Sequence, residues 1–277
     1  MNDKGGAGMR PVKETQSALI KSTIFYPREY RHFAKMHRST WFYLLLCVLP
    51  VTLIFVVFYS PISKMLCSWA GNMIALVGGQ TLMRSTYEFL PWFGNLYYLV
   101  LEGPMPTYTH ALISTIVCVV ALVVLSQVEG SARALMIYLC MGLFVHLISS
   151  VFFLFFSAYF PYTHTDYSEL YMKQQVAIWI MISLVCGVAT ALINSSGFAK
   201  WITFLSTVAY IFVFGCIRYV VYLLIVLYGS LMYMATLFFT FGVLFDFLQL
   251  VAIYAIFVKY MSSKMNTGRR RAEWLWS

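Results

Sequence analysis

Charged residues are scarce in this chain. Asp, Glu, Lys and Arg make up 10% of its 277 residues, whereas 61% are hydrophobic and the mean hydropathy is +0.78. A soluble domain carries about 25% charged residues, and a domain of this size could not bury so many apolar side chains in water. The composition excludes an ordinary soluble protein and predicts an all-α, polytopic transmembrane helix bundle.

Catalytic and cofactor-binding motifs are also missing. The sequence has no nucleotide-binding glycine loop and no His, Cys, Asp and Glu cluster at metal-ligand spacing. It also lacks the paired acidic and basic motifs of membrane phosphatases, CAAX-type proteases and phosphatidyl transferases. None of its six cysteines forms a CxxC pair, and five fall inside apolar runs, where single thiols behave as small hydrophobes. We therefore expect no enzyme activity, no cofactor, no metal site and no disulfide framework.

Long apolar runs are what the chain does contain, and they predict about six spans. These are Trp41–Ser60, Ala111–Gln127, Ala134–Phe160, Val176–Ile193 and two helices within 201–260. About 20 residues suffice to cross the hydrocarbon layer, and Pro50 is expected to kink the first span. The turn-like sequence Tyr228-Gly229-Ser230 is the point at which the final run divides into two helices. Three shorter spans are the alternative there.

The segment 61–109, between the first two spans, is expected to lie outside the hydrocarbon layer. Over 62–77, apolar residues recur at helical spacing, with polar residues such as Lys64 on the opposite face. This pattern predicts an amphipathic interfacial helix. The aromatic stretch that follows predicts a membrane-hugging loop with a short helix around Gly94–Leu101. A further short external loop is expected at 161–175. These pieces either cap the bundle or form a docking surface or the mouth of a path.

Basic residues are concentrated on one side of this topology. With six spans, fifteen Lys and Arg side chains fall on the side of the two termini and three on the other. The positive-inside rule then predicts that both termini are cytoplasmic. The domains are a basic segment 1–40 with a short surface helix after Pro27, a transmembrane domain 41–260 and a basic tail 261–277. Both tails are expected to attract anionic lipid rather than nucleic acid.

Arg218 and Asp246 are the only charged residues well inside the apolar runs. A charge within a membrane is costly and marks a candidate functional site. Counted from the turn at Gly229, the two residues differ in depth by roughly 7 Å at a rise of 1.5 Å per residue, which an arginine side chain can bridge. We expect an ion pair, either as a buried clamp on the last helical hairpin or as part of a transport path with Gln249 one turn further on.

His146 lies midway along the third predicted span. An intramembrane histidine can bind haem or relay protons, but no second histidine occurs at matching depth to complete a haem site. Hydrogen bonding to Ser149, Ser150 or a neighbouring helix is the expected role.

The sequence favours a non-catalytic membrane subunit or scaffold of a larger envelope assembly, such as a secretion or conjugation machine in a bacterial inner membrane. Small extramembrane segments leave little room for an independent activity, and the long apolar final helices indicate packing against other membrane subunits. The alternative is a small transporter or channel. It requires Arg218, Asp246, Gln249 and His146 to face one water-accessible cavity.

Overall fold

The structure, a computed structural model, describes residues 38–78, 82–128, 133–193 and 196–266. Within these ranges the protein is a bundle of seven helices, six of them long and apolar enough to cross a membrane. The all-α six-span architecture is confirmed, as is the division of the final run into two spans. The surface helix expected after Pro27 and the last residues of the basic tail lie outside the described residues.

The helices are numbered in chain order. The helices are α1 (Arg38–Val57), α2 (Tyr59–Gly78), α3 (Tyr108–Ser126), α4 (Arg133–Phe156), α5 (His164–Ala191), α6 (Gly197–Tyr228) and α7 (Leu231–Met261). Between α2 and α3 lie strands β1 (Arg84–Leu90) and β2 (Gly94–Leu99). Helix α2 is the one that is not a candidate span. In α1, a π-helical turn at Leu44–Val48 directly precedes the segment that contains Pro50.

The external loop predicted at 161–175 is wrong, because α5 already begins at His164. Thr163 caps this helix: the backbone N–H of Asp166 donates to the Thr163 hydroxyl (3.2 Å), and the backbone N–H of Thr163 donates to the Asp166 carboxylate (2.7 Å). One turn later, Glu169 and Lys173 form an i,i+4 ion pair of 2.5 Å. The polar residues that suggested a loop are the first turns of a long helix.

The short helix predicted around Gly94–Leu101 is also wrong. This stretch forms β2, which pairs antiparallel with β1 in the register Arg84↔Leu99 and Tyr87↔Leu96. The backbone N–H groups of Tyr97 and Leu99, on the far edge of β2, donate to Ser63 on α2 and to Tyr219 on α6. A strand satisfies its backbone through such neighbours, which a local sequence pattern does not reveal.

Contacts at the two ends of α5 define the two sides of the bundle. At its C-terminal end, the Thr190 hydroxyl lies 2.8 Å from that of Tyr43 near the start of α1. At its N-terminal end, Thr165 donates to the carbonyl of Leu101, which follows the β-hairpin. Helix α2 and the hairpin therefore lie on the side opposite to the start of α1, as the six-span topology requires.

Helices α1, α2, α5 and α6 form the core with β2, and the α3–α4 hairpin lies at the periphery. The α3–α4 hairpin contacts the rest of the bundle largely through the first half of α7. Ser149 on α4 donates to the carbonyl of Met232 (2.7 Å), and a Cβ at Gly142 would lie 3.0 Å from Thr240 Cγ2. Helix α7 therefore connects the core to this hairpin.

A buried arginine cluster as the candidate functional site

Arg218 on α6 and Asp246 on α7 form a two-point ion pair, so the pairing expected from the sequence is confirmed. Arg218 Nη1 donates to Oδ1 at 2.8 Å, and Nη2 donates to Oδ2 at 2.6 Å. Arg218 is 3% exposed and Asp246 is 1% exposed. Parallel N–H bonds to both carboxylate oxygens are the strongest geometry available to this pair, and a buried charge requires such a partner.

The remaining donors of the guanidinium are also occupied. Nε donates to the hydroxyl of Tyr171 (2.6 Å), Nη2 donates to Gln175 Oε1 (2.8 Å), and Nη1 donates to the backbone carbonyl of Phe241 (3.2 Å). A guanidinium has five N–H bonds, and here each has an acceptor. The side chain joins α5, α6 and α7 without leaving a donor for a further ligand.

Aromatic rings and a glycine complete the surroundings of the guanidinium. The rings of Tyr171, Phe214 and Tyr222 each have their centroid 5.8–5.9 Å from Arg218 Cζ, a distance at which the cation is attracted to the ring. Gly215 faces the Gln175 amide so closely that a Cβ there would overlap its nitrogen. A glycine at this position lets α5 and α6 approach and brings Gln175 within reach of the arginine.

Arg218, Asp246, Tyr171 and Gln175 form what we call the arginine cluster. Helix α7 departs from α-helical geometry beside this cluster. Thr236–Leu244 is π-helical, and Gly242 has the non-helical angles φ −90° and ψ −105°. A Cβ at Gly242 would lie 2.6 Å from Gln174 Nε2, so the glycine makes room for that amide. A π-helical segment within a span often marks a functional site, but its displaced backbone groups must find other partners inside a membrane.

Side chains from three neighbouring helices provide those partners. Gln174 on α5 donates to the carbonyl of Phe238 (3.1 Å), and Tyr138 on α4 donates to that of Thr240 (2.8 Å). The carbonyl of Phe241 accepts from Tyr222 on α6 (2.7 Å) as well as from Arg218. Arg218 therefore contributes one of the hydrogen bonds that satisfy the irregular backbone of α7, in addition to pairing with Asp246.

The structure does not bring the other two candidate residues into the cluster. Gln249 is half-buried, and its Oε1 has no hydrogen-bond partner among the described residues. His146 lies on α4, 7% exposed, with its Nε2 3.0 Å from the hydroxyl of Ser114 on α3. Its ring stacks on Tyr233 at a centroid distance of 4.7 Å. Hydrogen bonding of His146 to a neighbouring helix is confirmed.

Several buried polar atoms near α7 lack partners within the described part of the chain. They are His146 Nδ1, Thr236 Oγ1, Thr240 Oγ1, Gln174 Oε1 and Gln175 Nε2. In the same part of the chain, no three His, Cys, Asp or Glu side chains are grouped to hold a metal ion. A narrow crevice between Phe55, Trp179 and Ile211 has no room for a water molecule.

Tyr171 and Gln175 are the cluster residues that the sequence did not single out. The polar residues around them predict an external loop at 161–175, which excludes both from a span. The pair Thr163 and Asp166 matches the Thr-x-x-Asp pattern of a capped helix start. With α5 begun there, Tyr167, Tyr171 and Gln175 follow at a spacing of four residues on one helical face.

No known protein family, curated protein sequence or solved structure matches this chain.

Proposed function

We propose that this protein is a non-catalytic integral membrane subunit or scaffold of a larger envelope assembly, such as a secretion or conjugation machine. The observation that carries the proposal is the saturated guanidinium of Arg218, whose five N–H bonds all end on groups of the protein itself. The most strongly charged part of the interior serves to hold three helices together. The Arg218 guanidinium has no free N–H donor for a substrate.

The exposed surface supports the same proposal. Helix α3 packs against α4 but presents a row of apolar side chains outward, including Ile113, Ile116, Val120 and Val124. Between the described spans, the β-hairpin is the one element with strands. A protein whose surface is mainly apolar helix has its available contacts inside the membrane, with lipid and with other membrane subunits.

We further propose that the chain lies in a bacterial inner membrane with both termini in the cytoplasm. The support is the bias of fifteen to three in Lys and Arg under six spans. The contacts of α5 place the start of α1 on the side opposite to α2 and the hairpin. The hairpin would then face the periplasm.

Gentle solubilisation of native membranes tests the subunit role. A subunit is expected to migrate above its own mass of 31.8 kDa. The same membrane proteins should accompany it, at fixed stoichiometry, through size-exclusion chromatography and then through density-gradient separation. Migration as a lone protein with bound lipid in both separations would contradict the proposal. A matched sample carrying Glu88→Gln, on the exposed face of β1, is the control for nonspecific losses.

A small transporter is the second candidate, and one observation favours it. Transporters often place unwound helix segments at their binding sites. Helix α7 has such a segment, and within it the hydroxyls of Thr236 and Thr240 have no hydrogen-bond partner among the described residues. Ion or solute flux into proteoliposomes that is abolished by Thr240→Val but retained in Thr115→Val would favour this candidate. Thr115 is a suitable control because its hydroxyl donates within α3.

A further inference from the structure

Helix α2 presents three different faces, each about a third of a turn from the next at 3.6 residues per turn. The first face is buried against the core and β2. It consists of Tyr59, Ser63, Leu66, Cys67, Ala70 and Ile74, all at most 2% exposed. Its contacts include the Tyr59 hydroxyl, which donates to the carbonyl of Gly94 and accepts from the backbone N–H of Leu90, on either side of the hairpin turn.

The second face of α2 is apolar and yet uncovered. Met65, Trp69, Met73 and Leu76 lie along it at intervals of four and three residues, and their exposed fractions are 62%, 37%, 37% and 80%. We call this row the α2 stripe. It carries no charge and no hydrogen-bonding group apart from the indole N–H of Trp69, so water is a poor solvent for it.

The third face of α2 is polar. Lys64 and Asn72 are exposed, and Ser68 and Gly71 are partly exposed. A helix that needs only a protein core and water would have two faces, one apolar and one polar. A third, apolar and exposed face beside a polar one is expected where a helix contacts protein, lipid and water at once.

The hairpin turn adds a second apolar group at the same place. Trp92 is 90% exposed at the tip of the hairpin. The tip is held beside the first turn of α2 by the hydrogen bonds of Tyr59, and that turn directly follows the end of the first span at Val57. Tryptophan is enriched where a span leaves the membrane, because its ring is apolar and its N–H is polar.

The α2 stripe continues the apolar, lipid-facing surface at the end of α1. This continuity identifies lipid as what covers the stripe and Trp92. Exposed apolar side chains run along the end of α1 through Ile54, Val57 and Phe58, and the α2 stripe begins two turns later. We infer that the α2 stripe and Trp92 are embedded in the bilayer leaflet on the hairpin's side, while Lys64 and Asn72 face water. This inference does not depend on the proposed subunit role.

Site-directed spin labelling of the full chain in phosphatidylcholine and phosphatidylglycerol nanodiscs tests the inference. Cysteine is introduced singly at Trp69 or Trp92, and at Lys64 or Thr86 as controls on the polar face of α2 and the exposed face of β1. Each position is labelled with a nitroxide. The accessibility of the label to oxygen, which concentrates in lipid, is compared with its accessibility to a water-soluble nickel chelate.

Labels at 69 and 92 are expected to be accessible to oxygen and protected from nickel, and labels at 64 and 86 should show the reverse. Nickel accessibility at 69 equal to that at 64 would overturn the inference, because the stripe would then face water. Protection from both reagents at 69 would also overturn it, since another protein or a second copy would then cover the stripe. If W69C does not fold, M65C tests the same face.

Discussion

The side chains of Arg218 and Asp246 meet in parallel, with N–O distances of 2.8 and 2.6 Å at two points. The two residues lie 28 positions apart in the chain, on antiparallel neighbouring spans. Removing one partner from a buried pair leaves the other charge uncompensated, which is far more costly than never having had the pair. This asymmetry provides the first prediction.

Asp246→Asn is expected to lower the free energy of unfolding by about 3–5 kcal/mol, because it leaves the Arg218 guanidinium charge buried without a counter-charge. The measurement is unfolding of the detergent-solubilised protein by a denaturing detergent. Glu88→Gln on the exposed face of β1 is the matched control and should change stability by less than about 0.5 kcal/mol.

The double variant Arg218→Met/Asp246→Leu is expected to be more stable than Asp246→Asn, because apolar side chains of similar volume avoid the uncompensated charge. If Asp246→Asn and the unaltered protein unfold at the same denaturant concentration, the pair does not act as a clamp.

Gly215→Ala is expected to destabilise the protein by about 1–3 kcal/mol, the usual cost of overpacking. The new methyl group would overlap the Gln175 amide and lie 3.1 Å from the Trp179 indole nitrogen. Unfolding of the purified variant measures the loss. Gly197→Ala is the control, since a Cβ there meets nothing within 4 Å. Equal stability of the two variants would show that α5 and α6 can separate at no cost.

Tyr138→Phe is expected to loosen the π-helical part of α7, because it removes the hydroxyl that donates to the Thr240 carbonyl at 2.8 Å. A net loss of about 1 kcal/mol is typical for one such hydrogen bond. Hydrogen–deuterium exchange should become faster at the amides of Thr236–Leu244. Tyr210→Phe, on an exposed ring of α6, should leave exchange there unchanged. Unaltered exchange in both variants would contradict the role of Tyr138.

Cys67, on the buried face of α2, should resist thiol reagents. Burial raises the pKa of its thiol from 9.0 to about 12, so the reactive thiolate is absent at pH 8. A maleimide should label Cys67 only after unfolding, whereas a cysteine introduced at exposed Thr86 should react at once. Mass spectrometry of the labelled peptides distinguishes the two sites.

The raised pKa of Cys67 also predicts how the stability of the protein depends on pH. The folded pKa of Cys67 is higher than its ordinary value, so the folded protein favours the protonated thiol. Its contribution to stability is complete below pH 9 and is lost as the pH rises from 9 towards 12. Cys67→Ser should reduce this alkaline loss. Rapid labelling of Cys67 in the folded protein at pH 8 would contradict both predictions.

Hydropathy was sufficient to find the six spans, because the thickness of the bilayer imposes a minimum apolar length on any crossing helix. The pairing of Arg218 with Asp246 was predictable for a related reason, since an isolated charge in hydrocarbon is too costly to persist. The helix at α2 followed from its periodicity. These features depend only on local sequence and on the properties of the bilayer.

The sequence by itself did not determine the β-hairpin or the π-helical part of α7, whereas the start of α5 is marked locally by Thr163 and Asp166. In β2, the N–H of Leu99 is satisfied by Tyr219, a residue 120 positions away. The break at Gly242 depends on donors from α4, α5 and α6. Tyr171 and Gln175 belong to the arginine cluster only because α5 packs there. Tertiary structure decided these features, because a buried backbone group outside a regular helix must be paired and its partner comes from another element of the fold.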